Sequence, residues 1–114
     1  MDFKNQYSDL YRTAESDRVL RKFPDRIPII CERMDGSHIE DIDKKKYLVP
    51  RDLTMGQFIY VIRKRLKLNS ERAIFLFTNN RIMPTTSLLI DIYNNNKDKD
   101  GFLYFKYSEE NVFG

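Results

Sequence analysis

Residues 52–68 read DLTMGQFIYVIRKRLKL, and the spacing of their apolar members leaves little choice of structure. Met55, Phe58, Ile59, Ile62 and Leu66 recur at i, i+3, i+4, i+7 and i+11. A helix gathers them into one stripe, whereas a strand would scatter them over both faces. Thr54, followed three residues later by Gln57, has the spacing of a capping box and marks where the helix begins. The cations of RKRLK fall in its last turns, where the helix dipole favours positive charge. Such a helix must lay its stripe on another surface, so the rest of the chain has to provide one.

The flanking segments read as strands. IPIICER (27–33) is rich in β-branched residues, and Pro28 suggests that one edge of this strand goes unpaired. After a polar turn built on DGS (35–37), KKYLVP (45–50) reads as a second strand, completing a hairpin with a loop longer than two residues. AIFLFT (73–78) is a continuous apolar run suited to a strand buried on both faces. Asn79 and Asn80 can adopt the left-handed conformations of a tight turn into a short strand at Ile82 and Met83. A brief helix, SLLIDIYNN, follows Pro84, and GFLYFKYS (101–108) closes the sheet. Ahead of these, SDLYRTAESDRVLRKF reads as one or two polar helices, with Ser8 or Ser16 as cap and Pro24 as the stop. The predicted class is α+β, with an N-terminal helical extension over residues 1–26 joined to a core over 27–114, one domain overall. The order β-β-α-β-β matches the ubiquitin-like β-grasp.

Composition narrows function mainly by exclusion. Twenty basic against seventeen acidic side chains give a net charge of +3, which with no recognised motif speaks against a nucleic-acid binder; KKK (44–46) and RKRLK (63–67) read as solvated faces. His38 stands alone in a polar turn without further ligands, so no metal or other cofactor is expected. Cys31, in an apolar strand without a base or flanking cation, reads as a packing residue, and a single cysteine fits a reducing compartment. The glycines are isolated at 36, 56, 101 and 114, which leaves no phosphate loop, and no nucleophile elbow is present, so the chain does not read as an enzyme. The longest apolar run, FIYVI, falls far short of the roughly 20 residues of a membrane span, and MDFKNQYSDL lacks a signal-peptide pattern. A soluble cytosolic monomer is the expectation.

Four blocks carry a resemblance: KFPDRIPIICER (22–33), DIDKKKYLVPRDLTMGQFIYVIRKRLKL (41–68), AIFLFTNN (73–80) and DGFLYFKYSEENVFG (100–114). In order, from about residue 12 to the end, the chain resembles the autophagy ubiquitin-like modifiers, the GABARAP branch in particular. The resemblance implies two N-terminal helices on a ubiquitin-like core. It also implies that Gly114 is activated with ATP by an activating enzyme, passed through cysteine thioesters and joined to the amine of phosphatidylethanolamine. The resemblance further implies a processing or deconjugating cysteine protease as a partner at that glycine. Gly114 lacks a Cβ and so can enter a narrow channel, while Phe113 offers the enzymes an apolar grip. The phospholipid brings two acyl chains, which suffice for stable anchoring where one is marginal. The lipidated form is then expected on autophagosomes or other intracellular vesicles.

The same resemblance implies a docking site for cargo receptors and adaptors bearing an aromatic-x-x-aliphatic motif, added as a strand to the edge of KKYLVP, with Lys46 and Leu48 offering backbone groups. Carried over by position, the aromatic pocket uses Glu15, Val19, Pro28, Ile30, Leu48 and Phe102, with the stem of Lys46 along its rim. The aliphatic pocket uses Tyr47, Val49, Pro50, Leu53, Phe58, Val61 and Ile62, of which Phe58 and Ile62 are also expected in the core. Arg26, Lys44, Lys46 and Arg63 are placed to meet acids flanking the motif. Two departures stand out: Asp9 occupies a position that is usually aromatic in the family, and Leu20 one that is commonly basic. A rival class is a non-conjugated scaffold using the same groove on trafficking or cytoskeletal partners.

Overall fold

The capping box closes as its spacing requires: Thr54 Oγ1 accepts from the Gln57 N–H at 3.2 Å, and Gln57 Oε1 accepts from the Thr54 N–H at 2.9 Å. In the computed structural model, which describes residues 2–111, this box starts a helix over Met55–Arg65. Of its expected stripe, Met55, Phe58, Ile62 and Leu66 are buried, and Ile59 packs at the margin. The elements in chain order are α1 (Phe3–Gln6), α2 (Asp9–Lys22), β1 (Arg26–Arg33), β2 (Lys46–Pro50), α3 (Met55–Arg65), β3 (Phe75–Thr78), β4 (Arg81–Ile82), α4 (Leu89–Asn96) and β5 (Leu103–Ser108).

The strands form one sheet in the order β2-β1-β5-β3-β4, with β1 and β5 parallel and the other neighbours antiparallel. Alternation divides the side chains between its faces. Ile27, Ile29 and Cys31 of β1, Tyr47 and Val49 of β2, and Leu103, Phe105 and Tyr107 of β5 join α3 in the main core. Ile30 belongs to the other face, in a small cluster with Phe3 and Phe102. Cys31 is fully buried, and that burial pushes its thiol far up, which suits a packing role. Asn79 and Asn80 take φ of 50° and 63°, supplying the left-handed turn between β3 and β4. The short strand lies one residue earlier than expected, at Arg81–Ile82.

The expectation that Pro28 marks an unpaired edge is corrected, because β1 is flanked by β2 and β5. The Cys31 N–H bonds to the Lys45 carbonyl at 2.8 Å, so odd-numbered residues of β1 point their amides at β2 and even-numbered ones point theirs at β5. Pairing to β5 begins only at Ile29. Pro28 therefore lacks a donor at a place where no ladder bond is made.

Ser8 caps α2, its Oγ accepting from the Tyr11 N–H, whereas Ser16 is buried inside that helix. There it helps to lock α2 onto the turn before β5. Ser16 Oγ donates to the Asp100 carbonyl, and Arg12 Nη1 reaches Asp100 Oδ2 at 3.2 Å. The same carboxylate accepts from the Tyr104 hydroxyl at 2.5 Å and from the Phe102 N–H at 2.8 Å. Gly101 sits at φ +94°, and a Cβ there would run into the Ser16 side chain. Asp9, the departure noted above, forms an ion pair with Arg12.

Candidate functional site

The candidate site is the outer edge of β2, which has β1 on one side and, among the described residues, no strand on the other. Tyr47 and Val49 stand opposite Ile29 and Ile27 and make the ladder bonds, while Lys46 and Leu48 stand opposite Ile30 and Pro28 in the non-bonded pairs. Lys46 and Leu48 therefore direct both N–H and C=O outward. Pro50 directs only a carbonyl. The edge is short and ends in a proline, yet it keeps two donors available to an added strand.

On the α2 side, Glu15 reaches across to Lys46 at 3.3 Å and chelates Arg18 at 2.6 and 3.2 Å. Val19 and Pro28 are buried on this side, Leu48 is half-buried, and Ile30 and Phe102 are fully buried beneath Phe3, whose ring lies 5.3 Å from that of Phe102. The Arg18 hydrogen bond, and after it Lys46, hold the Glu15 carboxyl below its ordinary value of 4.5. Because the folded value is depressed, the associated stability is present above about pH 4.5 and is lost as pH falls through the folded value. In an NMR titration, Arg18→Met should raise the Glu15 pKa more than Lys46→Met does. The reverse order would show that Lys46 is the stronger partner.

On the α3 side an open groove runs between helix and strand, lined by Lys44, Tyr47, Leu48, Val49, Tyr60, Val61, Lys64 and Arg65. Lys44 Nζ lies 5.1 Å from the Tyr47 ring centroid and Lys64 Nζ 5.4 Å from that of Tyr60. Arg65 is tied to Asp43 by two bonds of 2.8 and 3.0 Å. The Tyr47 hydroxyl is buried without a partner among the described residues, and burial raises its pKa well above the usual value. Leu53 borders the next groove along α3, which shares Tyr60 and Val61. Phe58 and Ile62 lie wholly inside the core.

Arg63 is not brought to this groove; its guanidinium donates to the Asn69 carbonyl at 2.7 Å. Tyr60, Lys64 and Arg65 border it instead and were not singled out from the sequence. Helical spacing held the signal, since Lys64 and Arg65 stand three and four residues beyond Val61. Arg26 lies at the opposite end of β2, across from Pro50. Phe113 and Gly114 lie outside the described residues.

With this edge and its grooves in view, comparison decides the family: a family model described as "Autophagy protein Atg8 ubiquitin like" matches residues 11–114. The chain belongs to the Atg8 family. Autophagy-related protein 8 of Kluyveromyces marxianus is 59% identical over 112 residues, covering 98% of this chain and 90% of that protein. The protein of the same name from Schizosaccharomyces pombe is 57% identical over 112 residues, covering 98% and 93%. A solved structure, that of Trypanosoma brucei ATG8, superposes with a TM-score of 0.90 at 44% identity and covers 95% of this chain and 93% of its own. As an Atg8, the chain is a ubiquitin-like modifier of autophagy and not an enzyme. Family membership also implies the partners of an autophagy conjugation system.

Proposed function

We propose that this Atg8 is joined through the Gly114 carboxylate to the amine of phosphatidylethanolamine, with Phe113 gripped by the activating, conjugating and processing enzymes. Once tethered to an autophagosome or another vesicle membrane, it recruits receptors and adaptors by adding their aromatic-x-x-aliphatic segment as a strand on β2. The outward N–H and C=O groups of Lys46 and Leu48 carry the docking part of the proposal. Glu15, Val19, Pro28, Ile30, Leu48 and Phe102 take the aromatic side chain, and Tyr47, Val49, Pro50, Leu53 and Val61 the aliphatic one. Covalent attachment accounts for membrane residence, since no helix among the described residues is long and apolar enough to cross a bilayer.

Two measurements test this. Incubated with a matched family activating and conjugating pair, ATP and phosphatidylethanolamine liposomes, the chain should gain the mass of one phospholipid less one water, and Gly114→Ala should abolish the adduct. No adduct, on enzymes that lipidate another family member, would make the chain a non-conjugated scaffold. In calorimetric titration of an aromatic-x-x-aliphatic peptide, Leu48→Ala should weaken binding by on the order of tenfold, the cost of losing a contact worth more than 1 kcal/mol. Unchanged affinity would remove Leu48 from the docking site.

A further inference from the structure

The chain is tied down where it leaves the last strand. β5 ends at Ser108, and the next side chain, Glu109, turns back to the loop that follows β1. A single oxygen, Glu109 Oε2, accepts from the Ser37 hydroxyl at 3.1 Å and from the His38 N–H at 2.7 Å. The loop it holds is itself ordered. The Met34 N–H bonds to the Tyr107 carbonyl at 2.8 Å and the Ser37 N–H to the Met34 carbonyl at 3.1 Å, while Gly36 turns the chain at φ +86°. Ser37 is buried, and its Oγ also accepts from the Ile39 N–H at 3.2 Å. Desolvation raises the Glu109 pKa, but the His38 amide and the Ser37 hydroxyl more than offset it, and the net value lies below the ordinary 4.5. Both bonds are therefore made to an ionised carboxylate at neutral pH.

Glu109 stands five residues before Gly114, so a fully extended segment between them spans at most about 18 Å. Over so short a reach, the direction in which the chain leaves Glu109 decides which enzyme surfaces the terminal carboxylate can meet. Resting on the conjugation reading above, we propose that Glu109 is a positioning residue for that reaction. By holding its own backbone against the 34–38 turn, it orders the first link of the tail before an enzyme binds. The Glu110 N–H adds a second fixed point, bonding to Ser108 Oγ at 3.2 Å. An activating enzyme that grips the folded body and threads the glycine then has less chain to order itself.

Positioning differs from a plain effect of charge in two ways. Both bonds fall on one oxygen, so a glutamine at this place can accept them with its amide oxygen while losing the charge. Glu110 is exposed and carries the same charge one residue nearer to the glycine. Removing the charge of Glu110 leaves the tie to the turn intact. Because the ordering precedes binding, its loss belongs in KM and not in kcat.

The test uses the full chain and its Glu109→Ala, Glu109→Gln and Glu110→Ala variants with a family activating enzyme, ATP and labelled pyrophosphate. Exchange of pyrophosphate into ATP follows activation of the glycine carboxylate and yields KM and kcat for each chain. Glu109→Ala should raise KM by about three- to tenfold, the order expected when binding must fix one more residue, with kcat within about twofold of the parent. Glu109→Gln should recover most of that loss, and Glu110→Ala should stay within about twofold of the parent in KM. Amide hydrogen exchange by NMR gives a readout without the enzyme: the His38 amide should exchange faster in Glu109→Ala than in the parent or in Glu109→Gln. An unchanged KM for Glu109→Ala overturns the proposal. So does a Glu109→Gln chain no better than Glu109→Ala, or a Glu110→Ala chain as impaired, since either result makes charge and not the tie the cause. A parent chain that supports no exchange, on an enzyme active with another family member, overturns the conjugation reading itself and the role of Glu109 with it.

Discussion

Asp100→Ala should cost the fold about 3–5 kcal/mol, the range found when one member of a buried ion pair is removed. Its carboxylate is 3% exposed and serves Arg12, the Tyr104 hydroxyl and the Phe102 N–H at once. Alanine leaves Arg12, a residue only 5% exposed, facing an empty site, with the exposed Asp9 still paired to it. The remaining orphans, the part-buried Tyr104 hydroxyl and the buried Phe102 amide, each carry a desolvation penalty. Burial, followed by the bond to Asp100, already raises the Tyr104 pKa, so the hydroxyl remains a neutral donor in search of an acceptor. Urea unfolding measures the loss. The double variant Arg12→Leu with Asp100→Asn should recover part of it, because it removes the charge that was left stranded. A loss under about 1 kcal/mol for Asp100→Ala would mean that this cluster does not hold α2 to the sheet.

What the sequence disclosed follows the distance over which each feature is encoded. The whole of α3 was legible because its stripe and capping box lie within fifteen residues, and the Asn79-Asn80 turn because left-handed backbone selects its own residue types. The cluster that fixes α2 was not, since Arg12 and Ser16 meet Asp100 from 88 and 84 positions away and no local pattern announces the pairing. Pro28 misled for a related reason. Its missing donor signals a gap in a ladder, but only the register against β2 and the start of β5 show that the gap lies within a central strand. At the candidate site, family resemblance supplied positions and geometry supplied orientation. Strand parity turns the backbone of Lys46 and Leu48 outward, and the setting of α3 against β2 brings Lys64 and Arg65 to the groove while turning Arg63 to the Asn69 loop.

Orientation also separates Phe58 from Leu48, two residues that the resemblance places in one docking site. Phe58 is fully buried, edge-on to Tyr47 at 5.8 Å and beside Phe105 at 5.6 Å. Phe58→Ala should therefore act on the fold, with a loss of about 3–5 kcal/mol from the vacated ring volume. For a domain of this size that lowers the Tm by on the order of 10–20 °C. Leu48 is half-buried at the edge, and its truncation should change stability by about 1 kcal/mol or less while weakening the peptide. Measured at a low temperature where both variants remain folded, Phe58→Ala should lose less peptide affinity than Leu48→Ala, since its ring is fully buried and packs against the inner side of Tyr47. If instead Phe58→Ala unfolds within about 1 kcal/mol of the parent and loses as much binding as Leu48→Ala, the peptide side chain must reach the ring itself. The groove beside Tyr47 would then have to open inward when the peptide docks.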